Sequence, residues 1–184
     1  MNKGCLIFAH NTDIDYASMA ILAAKLVGKH LDVPVSLVTD TDTLINIENN
    51  HKELPFDKII TILVDKENQR ILNNTESKFK TKFINTDRAR AWDYTPYDRT
   101  LIIDSDFLVF SDNLNKFWTN QQDFLITAGM TDLTQDQETY KLNSAVDLLW
   151  ATNIMFTKNQ DTKILFDLVD YVRSEYEYFA KLFE

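Results

Sequence analysis

The sequence predicts an α/β layered fold with a mostly parallel sheet, and three observations lead there. Short apolar runs such as "KGCLIFAH" (3–10), "VPVSLVTD" (33–40) and "TLIIDSDFLVF" (100–110) show no in-out alternation, as strands buried on both faces do. Segments of helical period lie between and after such runs, the order that builds parallel sheets through crossover helices. The first run also passes at once into Asn11, Thr12 and Asp13, residues that cap helices well.

The elements follow in chain order. After the first strand, Ala17, Ile21, Ala24 and Val27 or Gly28 recur at helical spacing, so a helix is expected through about His30. The strand at 33–40 has Pro34 near its start, and "FDKIITILVD" (56–65) reads as a third strand. A helical stretch is expected around 82–93, then the strand at 100–110. "DFLITAG" (123–129) and "LWATNIMFTK" (149–158) read as further strands, with the polar stretch 131–144 as a long loop. A closing amphipathic helix places Ile164, Leu165, Leu168, Val169 and Val172 on one stripe. Residues 1–184 are read as one domain, with no internal repeat, low-complexity run or linker.

A net charge of −9 argues against binding nucleic acid through phosphate neutralisation. The lone cysteine, Cys5, excludes a disulfide framework and points to a reducing, cytoplasmic setting. No apolar run approaches the roughly 20 residues of a membrane span. Against that acidic background the segment 78–99 is locally basic, with Lys78, Lys80, Lys82, Arg88, Arg90 and Arg99.

Some chemistry is excluded outright. With glycine only at positions 4, 28 and 129, neither a Walker A loop nor a G-x-G-x-x-G turn can be written. The three histidines lack metal-ligand spacing, and no Ser or Cys sits in a nucleophile elbow. His10, at the end of the first strand, is placed to serve a site there or simply to be hydrogen-bonded.

The informative stretch is "RTLIIDSDFLVFSD", which sets Asp104 and Asp106 inside an apolar run. A buried carboxylate needs a compensating partner. If the strand runs on to residue 110, the two acids face one side, roughly 6.5–7 Å apart, within reach of one hard cation. Mg²⁺ and Mn²⁺ suit such a pair, with phosphate oxygens and water filling the octahedron. The plainer alternative is a strand end whose acids face solvent or Arg99. Haloacid-dehalogenase-type phosphatases also place Asp-x-Asp after a strand. They continue with Gly-Thr, where this chain has Phe107 and Leu108, and their strand lies near the N-terminus.

A second family matches better. The chain resembles the glycogenin-like members of glycosyltransferase family 8, which have the GT-A fold, a Rossmann-like mixed sheet flanked by helices. Their apolar strand, Thr-Asn-Asp-x-Tyr and small-residue helix are matched by "IFAHNTDIDYASMAILAAKL". The family's Lys, Trp and Tyr before its D-x-D strand are matched in spacing by Arg88, Trp92 and Tyr97 in "RARAWDYTPYDRTLIIDSD", and "VFSDNLNKFW" resembles the continuation. The resemblance covers roughly residues 4–158.

That resemblance implies a nucleotide-sugar donor, most plausibly a UDP-sugar, transferred with retention to an acceptor the sequence does not name. It implies that Ala9, His10, Asn11 and Tyr16 border the base, and that Arg88 meets the donor. Asp104 and Asp106 would hold Mn²⁺ or Mg²⁺, with Asp104 also near the ribose and Ser105 in the donor set; Asn153, which stands where the family has Gly, would supply a shifted amide to the sugar hydroxyls. Trp92 and Tyr97 are expected to pack beneath the D-x-D strand.

Two departures stand out. Ala151 and Asn153 replace the family's Asn and Gly in Phe-Asn-Ser-Gly-Val, and the His-x-x-Gly-x-x-Lys-Pro-Trp element, with its third metal ligand, has no counterpart. An alternative follows, a domain that binds a nucleotide or sugar without turning it over. Nucleotidyltransferases of similar architecture need a glycine-rich loop after the first strand, and "AHNTD" has none.

Overall fold

The computed structural model describes residues 1–65, 69–73, 78–82, 85–128 and 149–182. Six strands form one sheet in the order β3-β2-β1-β6-β8-β7, and β4 and β5 form a separate hairpin. Here β1 is Lys3–Phe8, β2 Val35–Thr39, β3 Lys58–Thr61, β4 Gln69–Asn73, β5 Lys78–Lys82, β6 Arg99–Asp104, β7 Phe124–Ala128 and β8 Leu149–Thr157. The helices are α1 Tyr16–Leu31, α2 Thr41–Asn50, α3 Ala91–Tyr94, α4 Lys116–Thr119, α5 Gln160–Ser174 and α6 Tyr176–Lys181.

Strands β3, β2, β1 and β6 run parallel, whereas β8 pairs antiparallel with β6 and with β7. The apolar runs have the cause inferred from their composition. Gly4 through Phe8 of β1 and all of β2 are buried, and Leu101, Ile102 and Ile103 of β6 are almost wholly enclosed. Each such Leu or Ile contributes about 1.5–3 kcal/mol when fully buried.

Side-chain alternation splits this core in two. Cys5, Ile7, Leu37, Leu101, Ile103 and Met155 pack with α1 and α2 on one face. Leu6, Phe8, Val38, Ile102 and Phe156 pack with Ala91 of α3 and Phe166 of α5 on the other. A mixed sheet between two helical layers is the α/β architecture expected.

Several local expectations need correction. Helix α1 starts at Tyr16, and its cap is Asp15, whose carboxylate accepts from the Ser18 backbone N–H at 3.1 Å, rather than Asn11, Thr12 or Asp13. Asn11 instead holds the loop from outside, accepting from the Ala17 N–H at 2.8 Å. Strand β6 ends at Asp104, not at residue 110, because the Phe107 N–H returns to the Asp104 carbonyl at 3.1 Å and closes a turn. The 82–93 segment comprises the end of β5, a 3-10 turn at Asn85–Arg90, and α3.

The closing helix breaks at Glu175, between α5 and α6. Its buried positions are Thr162 and Phe166, while Ile164, Leu168 and Val169 of the expected stripe are exposed. Phe166 decides the rotation, lying 4.7 Å from the Phe156 ring, centroid to centroid. Helix α2 and the β4–β5 hairpin were not foreseen, and the proposed loop at 131–144 lies outside the described residues.

One close approach fixes the start of β1. The Tyr97 ring lies against Gly4, so a Cβ there would come within 2.5–2.7 Å of ring carbons. Tyr97 cannot swing away freely, because its hydroxyl meets Ser36 Oγ at 2.7 Å inside the core. Gly4→Ala is expected to cost about 1–3 kcal/mol through overpacking, read as a lower urea midpoint with an unchanged slope. An unchanged midpoint would show that the ring yields without penalty.

Candidate functional site

The carboxyl ends of parallel strands are where an α/β sheet presents loops and helix N-termini to a ligand. Here β1 ends into Ala9 and His10, β2 into Asp40, and β6 into Asp104. The register pairs Phe8 with Asp104, so the first and sixth strands finish at the same level.

On the α1 and α2 side, a polar network ties the β1–α1 loop to α2. Asp40 caps α2, taking the Thr43 N–H at 3.0 Å and the Thr43 hydroxyl at 2.7 Å. Thr43 Oγ1 in turn accepts from the Asn11 N–H at 2.9 Å. Asn11 donates its side-chain amide to Asp15 at 2.9 Å, so both ends of that side chain serve its own loop. Ala9 likewise uses its backbone within the fold, donating to the Val38 carbonyl and accepting from the Thr39 hydroxyl. An open polar cleft of about 410 Å³ lies between this loop and α2, lined by Asn11, Thr12, Asp13, Asp42, Asn46 and Asn50. Tyr16 stands at the first position of α1 and is partly buried against the larger core.

On the opposite side Arg88 projects from the 3-10 turn. Its Nη1 donates to Asp104 Oδ1 and its Nη2 to the Ala151 carbonyl, while its Nε is buried without a partner. The two side chains are partly enclosed, 18% exposed for Arg88 and 31% for Asp104. The Ala151 carbonyl is available because the β7–β8 ladder is irregular there: Ile126 pairs with Ile154, but Thr127 pairs with Trp150. Such irregularities re-aim strands beside functional sites. Asn153, within that interval, is 7% exposed and its Oδ1 has no partner.

His10 stands between the two groups. It is 3% exposed, its Nδ1 lies 3.4 Å from Asp40 Oδ2, and neither ring nitrogen has a hydrogen-bond partner. Burial lowers its pKa, against the opposing pull of Asp40 and of Asp87, the neighbour of Arg88. The ring is thus neutral near pH 7, with Nδ1 facing the Asp40 carboxylate and Nε2 left without a partner.

The sequence-predicted residues therefore fall into two groups. Arg88, Asp104 and the Ala151–Asn153 segment come together directly, and Ser105 is buried just past β6. Ala9, Asn11 and Tyr16 belong to the α1 side. Asp106 does not share a strand face with Asp104 as expected, because it lies in the turn after β6 and is exposed. Trp92 and Tyr97 are packing residues: Trp92 donates to Thr162 Oγ1 at 3.2 Å, beneath Lys158, and Tyr97 is 2% exposed against Gly4.

Asp40, Thr43 and Asp87 were missed. "DTDT" (40–43), an Asp ahead of a threonine-rich first turn, was the available signal for α2 and its cap. Among the described residues, no three His, Cys, Asp or Glu side chains converge to hold a metal. A hard cation of the Mg²⁺ type is commonly held by only one or two carboxylates, with phosphate oxygens and water in its other positions.

No family model matches the chain, and no curated protein matches it by sequence. Solved structures do match in fold. The apo-form glycosyltransferase GlyE of Streptococcus pneumoniae TIGR4 superposes with a TM-score of 0.56 at 15% identity, over 97% of this chain and 40% of that one. The galactosyltransferase LgtC, solved with donor and acceptor sugar analogues, gives 0.55 at 18% identity, over 84% and 58%. A 4-diphosphocytidyl-2C-methyl-D-erythritol synthase from Anaerococcus prevotii gives 0.51 at 13%, over 94% and 77%. The chain thus has the GT-A fold of nucleotide-sugar transferases, and spans about two-fifths to three-fifths of the two glycosyltransferases. Among the described residues no helix is long and apolar enough to cross a membrane.

The sign of the His10 effect on stability can be stated. A histidine whose folded pKa lies below its unfolded value contributes stability that is full above about pH 6.5 and is lost as pH falls through the folded pKa. The melting temperature of the wild type should therefore drop more steeply between about pH 7 and pH 5 than that of His10→Gln. Equal slopes would show that His10 is not held neutral by burial.

Proposed function

We propose that this domain is a metal-dependent glycosyltransferase of the family 8 type, taking a sugar from a UDP-sugar. The observation that carries this reading is the convergence of Arg88, Asp104 and the Ala151–Asn153 segment at the carboxyl end of β6, three segments far apart in sequence. The carboxyl ends of the parallel strands in such a sheet are where a nucleotide diphosphate fits.

The chain's own groups supply the chemistry of binding. Arg88 presents a planar fork suited to two phosphate oxygens. Asn153 offers a buried amide oxygen to a sugar hydroxyl, which would relieve its missing partner. Neutral His10 offers its unpartnered Nε2 to the polar edge of a base or ribose. Ala9, Asn11 and Tyr16 shape the neighbouring wall, with Ser105 beneath the turn. Asp104 and Asp106 would hold Mn²⁺ or Mg²⁺, and a bound ion there acts as a Lewis acid that stabilises the departing diphosphate. Retention of configuration and the acceptor rest on resemblance and on experiment respectively.

A binding domain without turnover is the second reading. It is favoured by the engagement of Asp104 with Arg88 and of Asn11 with its own loop, which leave those groups spent on the protein. A nucleotidyltransferase is disfavoured because no glycine follows β1 before α1.

Calorimetric titration of UDP, with GDP for comparison, tests the donor site. Saturable UDP binding that needs Mn²⁺ is expected, and Asp104→Asn with Asp106→Asn should weaken it at least about tenfold while the fold persists. Unchanged affinity in the double variant would remove the site assignment. Slow UDP-sugar hydrolysis would favour the enzyme over the binding domain.

A further inference from the structure

We infer that Arg88 is a resident counter-cation for Asp104, which it surrenders when a divalent cation arrives, so that cation uptake and diphosphate capture are one exchange. The inference rests on the donor site proposed above and adds how that site is regulated.

The geometry is specific. Both terminal nitrogens of Arg88 are spent on protein oxygens, one on Asp104 Oδ1 and one on the Ala151 carbonyl, and its Nε points into the protein without a partner. Two of its five N–H donors are so engaged, and they tie the orientation of the fork to Asp104 and Ala151. The carboxylate oxygen it holds is also one that a cation at Asp104 would take. A guanidinium and a divalent ion repel, and within a partly enclosed site that repulsion is weakly screened. Each therefore weakens the other's hold on Asp104, of which Arg88 takes one oxygen.

Displaced from Asp104, Arg88 keeps only a neutral carbonyl as partner in a half-buried position, which is unfavourable for a charge. A diphosphate supplies the missing anion. Cation alone therefore loosens Arg88 with nothing to receive it, whereas cation plus diphosphate exchanges one ion pair for two. Positive coupling between the two ligands follows, and by linkage it is reciprocal. Arg88 thus opposes the cation when the site is empty and favours the diphosphate when it is filled.

Opposite signs from one substitution make this testable. Mn²⁺ uptake without nucleotide is measured by the paramagnetic resonance of the free ion, and UDP affinity by calorimetry at saturating Mn²⁺. Arg88→Ala should bind Mn²⁺ alone about tenfold more tightly than the wild type, yet bind UDP about tenfold more weakly, which is about 1.4 kcal/mol in each direction. Arg88→Gln serves if the alanine variant fails to unfold cooperatively. Asp106→Asn should show no gain in Mn²⁺ affinity. In the metal-free protein, a double-mutant cycle of Arg88→Ala and Asp104→Asn should show favourable coupling in thermal stability.

Mn²⁺ affinity unchanged or weakened in both Arg88 variants overturns the exchange, as does absence of Mn²⁺ uptake by every variant. A Mn²⁺ gain in the Arg88 variants beside a wild type that ignores UDP would sustain the counter-cation and sink the donor site instead.

Discussion

Water reaches neither face of β1 between Gly4 and Phe8, and the rest of the domain follows from that constraint. A strand buried on both sides must be covered by two helical layers, and its backbone must be paired on both edges. Strand β2 takes one edge and β6 the other, while α1 with α2 and α3 with α5 cover the faces. Nothing polar of any size can sit within that interior unless it finds a partner. The sheet's polar chemistry is therefore displaced to the strand ends, where His10, Asp40 and Asp104 all lie.

Two arginines mark the two ends of β6 in contrasting ways. Arg99, at its start, turns its guanidinium onto the carbonyls of Phe117, Asn120 and Gln122, closing the end of α4 and the following loop. Those are neutral acceptors around a helix C-terminus, a structural use that suits a cation. Arg88, beside the other end, is placed against a carboxylate and a single carbonyl that an irregular strand exposes. Both arginines leave Nε buried without a partner, and Arg88 has in addition a buried amide oxygen, Asn153 Oδ1, close in sequence to its Ala151 acceptor. The acceptor distinguishes the two ends: a carboxylate that another cation could take faces Arg88, whereas backbone carbonyls face Arg99.

What the sequence made legible was what burial dictates. Strands β1, β2, β6 and β8 are long apolar runs because they are central, and α1 shows its buried stripe of small residues through Ala17, Ala20, Ala24 and Val27. Helix α2 escaped notice because only Thr43 and Ile47 are buried, too few to impose a period. The end of β6 was misplaced for a different reason. Phe107 through Phe110 continue the apolar run although the chain has already turned, and Val109 returns to the core while Phe110 is left exposed. Periodicity reports burial, not pairing, so it extended the strand through a turn and set Asp106 on a face it does not share. The spacing of Arg88 before Asp104 was visible, but their direct contact was not, since it depends on how the 3-10 turn meets the sheet.

The position of β6 beside β1 also shapes how the chain acquires its structure. Asn2 and Asp98, hydrogen-bonded at 2.9 Å, are 96 residues apart, and β1 and β6 pair in register from Lys3–Arg99 onward. During synthesis, β1 is made long before that neighbour exists, with only β2 available to cover one edge. Closing so large a loop delays the pairing, and distant parallel pairings fold slowly. In that interval an apolar strand edge is open to any other chain, a state that invites aggregation. One of the most deeply buried strands of the finished molecule is thus exposed while it is being made, and protection of β1 in the nascent chain becomes a requirement of the topology itself.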